Sequence, residues 1–161
     1  MSRFLVLLLF IILVVGIGLG LGYFFRPGEW YAALEKPAFT APSVVFTYVW
    51  PVLYVLIAVA GWRVFTTETG GGAWGWWLVA LLLNFLYTPL AFGENLLGWS
   101  TIVVFAALVA AIAFIRSTWH RERFAGACFV PYTLWLGYAF TLSVALWWTN
   151  GGSLPDVVTA G

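Results

Sequence analysis

Apolar residues run along this chain in five long blocks, about residues 4–25, 43–65, 74–92, 99–115 and 125–148, separated by stretches where Gly, Pro, Thr and charged residues gather. Each block is long enough, at roughly 1.5 Å per residue, to cross a hydrocarbon core as a helix. The pattern predicts an all-α fold, an integral membrane bundle of five transmembrane helices forming one domain over residues 1–161. The first block follows Arg3, exceeds the length of a signal-peptide core and carries no A-x-A-like cleavage site, so it reads as a retained span. Its Gly16, Gly18, Gly20 and Gly22 form two overlapping G-x-x-x-G pairs, predicted to pack within the bundle, with a dimer face as the alternative. Thr40 or Ser43 suits the cap of the second span. Pro51 inside that span removes one backbone bond and frees the Thr47 carbonyl. The segment TTETGGGA (66–73) predicts a flexible turn, GENLLG (93–98) a tight one, and the tail after Asn150 a loose end.

The connection over residues 26–42 is the longest and carries a periodic pattern of its own. Pro27 suits a first helical turn, Glu29 the positive end of the helix dipole, and Pro37 a stop near Lys36. A short loop helix follows, with Trp30, Tyr31 and Leu34 on one face, and it is predicted to act as a lid over the bundle.

Composition narrows the class further. The chain is 63% hydrophobic and 8% charged, far below the roughly 25% of soluble domains, so its outer surface belongs in lipid. A net charge of +1 offers no concentrated basic patch and argues against nucleic acid as a partner. Cys128 is the one cysteine and reads as a small buried filler. Near the span ends, Arg3, Arg63, Arg116, Arg121 and Arg123 lie on one face, against Arg26 and Lys36 on the other. That bias predicts a cytoplasmic N-terminus and an outward 26–42 loop.

Tryptophan depth supplies the candidate site. Trp62, Trp74, Trp76, Trp77, Trp99, Trp119, Trp147 and Trp148 fall at or near span ends, where an interfacial aromatic belt accounts for them. Trp50 and Trp135 lie well inside spans, where an indole N–H needs a partner. Counted from the loop side, Trp50 is roughly 10 Å deep, Tyr87 roughly 8 Å, Asn84 roughly 12 Å, Tyr138 roughly 15 Å and Trp135 roughly 20 Å. Asn84, the one amide within a span, must face the bundle interior, toward another helix or a ligand. Phe46, Trp50 and Tyr54 recur at i+4, Asn84 and Tyr87 at i+3, and Trp135 is followed at helical spacing by Tyr138 or Ala139 and by Leu142 or Ser143. These stripes suit a flat, mostly apolar ligand; an aromatic core without a ligand is the alternative. No Asp, Glu, Lys or His sits deep in a span, which argues against ion-coupled transport, and no nucleophile, carboxylate pair or metal-ligand cluster points to conventional catalysis, a metal or a cofactor.

The run EWYAALEKPAFTAPSVVFTYVWPVLY, with LLLNFLYTPLAFG (81–93) and FVPYTLWLGYAFTLS (129–143), resembles the translocator protein and tryptophan-rich sensory protein (TspO) family. The resemblance implies a five-helix receptor or carrier, forming a homodimer, whose cavity accepts porphyrins, sterols and synthetic isoquinoline or benzodiazepine-type ligands. It places Trp50 at the W of W-x-x-L-Y, Trp135 at the W of P-Y-x-x-W and Ala139 at a small cavity position; Trp30 and Tyr31 join the ligand-binding set through the apolar face of the loop helix, whose natural partner is the cavity mouth near Trp50 and Tyr87. Tyr87 stands where many members have Trp or Asn, and Ser143 where many have Asn. No Lys or Arg follows Tyr138 as the sterol-recognition pattern requires, although Leu21, Tyr23 and Arg26 match it, so the residues of this chain argue against the sterol among those ligands. Two alternatives to a binding role follow: a sensory scaffold, or light- and oxygen-dependent porphyrin degradation with Trp50 and Trp135 as redox-active side chains.

Overall fold

The computed structural model describes residues 2–67 and 72–152. The centre of the expected glycine turn (68–71) and the tail beyond 152 lie outside the described residues. Helix α1 spans Arg3–Phe24, the loop helix α2 Glu29–Ala33, α3 Ser43–Thr66, α4 Ala73–Thr88, α5 Leu97–Thr118 and α6 Arg123–Thr149. Beyond Thr88, α4 widens into a π-helical turn, Pro89–Gly93. Among the described residues five helices are long and apolar enough to cross a membrane, as the block pattern predicts.

The spans form a ring in the order α1, α3, α6, α5, α4, and α4 closes it against α1. The tight core occupies the half of the bundle away from the 26–42 loop. There Ala107, Ala110 and Ala111 of α5 are fully buried, and their small side chains let α4 and α6 approach closely. Phe114 and Phe129 meet at 4.2 Å between ring centroids, and the Tyr132 hydroxyl donates to the Ala80 carbonyl at 3.4 Å. At this end Arg63 pairs with Glu122 at 3.0 Å, tying α3 to the start of α6.

Several details differ from the sequence expectation. The loop helix is one turn long, within the one to three turns its pattern allows, but it stops three residues before Lys36, because the Asn150 side chain takes the Glu35 N–H at 2.9 Å and removes it from helical bonding. Leu34 is extended, and Lys36 Nζ donates to the Ala32 and Leu34 carbonyls at 3.0 and 3.2 Å. Pro37 is therefore not the stop. Neither Thr40 nor Ser43 caps α3; Pro42 holds that position, and the Thr40 hydroxyl donates to the Pro37 carbonyl instead. Helix α5 starts two residues early because Asn95 takes a left-handed conformation (φ 58°) that reverses the chain at once. At its other end the helix runs on to buried Thr118, whose hydroxyl donates to the Phe114 carbonyl at 2.8 Å.

Trp77 is a correction to the belt: it is 4% exposed, and its Nε1 donates to the Ile57 carbonyl at 2.8 Å. Gly61 makes room for it, since a Cβ there would collide with the indole. Gly18 plays the same part for α1, where a Cβ would meet the Tyr54 ring, whereas Gly16, Gly20 and Gly22 have no such neighbour. One glycine of the stripe thus packs within the bundle, as expected, and the other three leave open space. Cys128 is buried in the core.

Candidate functional site

Beneath the 26–42 loop the bundle opens on its α1–α3 side. A cavity of about 930 Å³ lies between α1, the loop, α3 and the π turn. Its deep wall is aromatic: Trp50 stacks on Tyr54 with ring centroids 5.2 Å apart and planes 28° from parallel, and Phe46 extends the wall one turn toward the loop. These three residues keep the i+4 spacing that puts them on one face of α3. Pro51, in the same wall, has no N–H to donate to the Thr47 carbonyl. Tyr31 and Ala32 of the loop helix form the roof. The cavity is not sealed, because Leu19, Gly22 and Tyr23 of α1 and Ser43 and Thr47 of α3 both line it and remain exposed.

The other expected site residues form a second layer behind this wall. Trp135 meets Trp50 edge-on at 6.4 Å, Phe46 at 5.3 Å and Tyr138 at 5.2 Å, and its buried Nε1 has no hydrogen-bond partner. Ala139 packs half-buried against the core beside it. Asn84 is 4% exposed and adjoins the Tyr54 phenol, with its Nδ2 unpartnered. The Tyr87 hydroxyl bonds to Ser143 Oγ at 3.1 Å, so the two side chains satisfy each other. Phe46, Trp50, Tyr54 and Tyr31 therefore face the open space, whereas Asn84, Tyr87, Trp135, Tyr138, Ala139 and Ser143 are not among the lining residues. Trp30 is 36% exposed and does not line the cavity either. With one helical turn, only Tyr31 and Ala32 can face inward.

Some lining residues carry no sequence signal of their own. Phe92 comes off the π turn and joins the roof to the rear layer, edge-on to Tyr31 at 5.2 Å and to Tyr87 at 6.4 Å. The Glu94 N–H donates to the Pro89 carbonyl at 2.9 Å, a five-residue step that displaces Phe92 from the α-helical register. Pro89 was the only hint, and a proline alone does not distinguish a π turn from a helix end.

Two contacts fasten the roof to α6. The Asn150 amide pairs with both backbone groups of Glu35, accepting from its N–H and donating to its carbonyl at 2.9 Å each. The Tyr138 hydroxyl accepts from the Ala41 N–H at 2.8 Å and donates to the Phe39 carbonyl at 3.3 Å. Burial, with a smaller contribution from Tyr138, raises the Tyr31 phenol above its usual range, so the roof presents a neutral hydroxyl at physiological pH.

The model of the TspO/MBR family matches residues 9–149. The chain belongs to that family. It is 30% identical over 135 residues to Protein CrtK of Rhodobacter capsulatus, covering 81% of this chain and 84% of that one. It is 34% identical over 110 residues to the tryptophan-rich sensory protein of Cereibacter sphaeroides (68% and 70% covered), and 29% identical over 137 residues to the human translocator protein (79% and 81% covered). Family membership and the five apolar helices together make this a multi-pass integral membrane protein.

Proposed function

We propose that the protein is a membrane receptor or carrier that holds a planar hydrophobic ligand, a tetrapyrrole such as protoporphyrin, in the cavity under the 26–42 loop. The observation that carries this reading is the Trp50–Tyr54 pair. Two stacked rings form a broad apolar face on a cavity of about 930 Å³, inside the size range of small-molecule sites. A flat π system gains dispersion and offset stacking there that a flexible chain does not. Synthetic isoquinoline or benzodiazepine-type compounds fit the same description. Assembly as a homodimer belongs to the same proposal and is tested by mass in detergent.

Titrating the purified protein with protoporphyrin in darkness, while following tryptophan fluorescence, is expected to give saturable quenching. Linear, unsaturable quenching would remove the reading. The edge-on contact of Trp50 and Trp135 at 6.4 Å favours a second reading, oxidation of the porphyrin by dioxygen under light through adjacent indoles. Repeating the titration under illumination separates the two. Light-driven loss of porphyrin absorbance that vanishes in Trp50→Phe and Trp135→Phe, with dark binding intact, supports the enzyme. A sensory scaffold would bind no porphyrin in either condition.

The fastened roof gives a kinetic prediction. Exchange under the loop, as distinct from exchange through the side opening between α1 and α3, requires the loop to lift, and each net hydrogen bond resists this by about 1 kcal/mol. Asn150→Ala combined with Tyr138→Phe is therefore expected to speed protoporphyrin release about fivefold or more in stopped-flow fluorescence, and an unchanged rate would show that exchange does not pass under the loop.

A further inference from the structure

Arg26 and Lys36 are the only charged side chains among the residues lining the cavity, and both lie at its loop end. No carboxylate neutralises them: among the described residues the one ion pair is Arg63–Glu122, at the opposite end of the bundle. Glu29 and Glu35, their acidic neighbours in the loop, do not line the cavity. Each cation is instead placed by an aromatic ring. The Arg26 guanidinium lies 4.4 Å from the Tyr23 ring centroid, and Lys36 Nζ lies 5.0 Å from that of Tyr31. Lys36 is also held by the Ala32 and Leu34 carbonyls, which use two of its three N–H donors and leave one free. The cavity is thus polarised along its depth, with an aromatic floor at Trp50 and Tyr54 and two uncompensated positive charges at its mouth.

We propose that Arg26 and Lys36 form an anion subsite, so that the ligand is an amphipathic ring bearing carboxylates on one edge, its apolar plane on Trp50 and Tyr54 and its carboxylates at the two cations. The proposal rests on the ring-binding reading above and adds the charge requirement to it. A carboxylate at the mouth accepts charge-assisted hydrogen bonds from donors that otherwise face headgroups and water. A neutral ring of the same shape gains only the floor.

The test compares protoporphyrin with its dimethyl ester, which keeps the ring and lacks both charges, in nonionic detergent and in darkness. The wild type is expected to bind the diacid about tenfold or more tighter than the diester. Arg26→Gln and Lys36→Gln should each erode that preference and together abolish it, Lys36→Arg should retain it, and diester affinity should stay unchanged, which shows that the cavity is intact in the variants. Equal binding of diacid and diester by the wild type overturns the subsite and leaves the ring-binding reading standing. So does an unchanged diacid-to-diester ratio in the double variant, the outcome expected if the two cations serve lipid phosphates. Binding of neither porphyrin overturns the ring-binding reading and this proposal with it.

Discussion

Trp50→Ala is expected to weaken protoporphyrin binding roughly tenfold to a hundredfold, whereas Trp135→Phe should change it by no more than about threefold. Trp50 lines the cavity, and its loss removes both the apolar area under the ring and an offset stack worth about 0.5–1.5 kcal/mol beyond that area. At about 25 cal/mol per Å², even a partial indole face adds about 1–2 kcal/mol. Trp135 stands behind it and meets it edge-on, so phenylalanine at that position keeps most of the support. The Trp135 N–H is buried without a partner, and leaving such a donor unsatisfied costs about 1–3 kcal/mol. Trp135→Phe should therefore leave the thermal midpoint of the ligand-free protein unchanged or raised. Dark titration and thermal melting of the two variants check this. If Trp135→Phe weakens binding as much as Trp50→Ala, the ligand reaches the second layer and the cavity rearranges to receive it.

The second large effect is structural and reaches the site through packing. Gly18→Leu places a side chain where the Tyr54 ring lies, and Tyr54 is 5% exposed and stacked on Trp50, so it has nowhere to retreat except into the cavity. Overpacking of this kind costs about 1–3 kcal/mol. Here α1 would be pushed from α3, its principal neighbour. Lower thermal stability in detergent and at least tenfold weaker dark binding of protoporphyrin are expected together. Gly16→Leu is the control, since a Cβ there meets nothing within 4 Å and the change should stay within about 0.5 kcal/mol. Equal behaviour of the two variants would show that the contact between Gly18 and Tyr54 does not hold α1 in place.

The five spans, the presence of a loop helix, and the alignment of Phe46, Trp50 and Tyr54 on one face of α3 were legible in the residue pattern alone. Each of these rests on local physics. A block of about twenty apolar residues has few alternatives to a spanning helix, and side chains four apart on a helix share a face whatever surrounds it. The burial of Asn84 was legible for a similar reason, because lipid offers an amide no partner. What the tertiary structure decided was which faces of different helices meet, and across which of them a space stays open. Depth along a helix axis placed Trp50 and Trp135 in the same half of the bundle but carried no information on rotation about that axis, so only packing shows Trp50 facing the cavity and Trp135 standing behind it. The single turn of the loop helix depends on Asn150, which is 115 residues from Glu35 in the chain. Phe92 reaches the cavity through a π turn, and local propensity barely distinguishes that turn from an ordinary helix end. Gly18 looked like its neighbours in the stripe because the feature that separates them, the Tyr54 ring, lies on another helix.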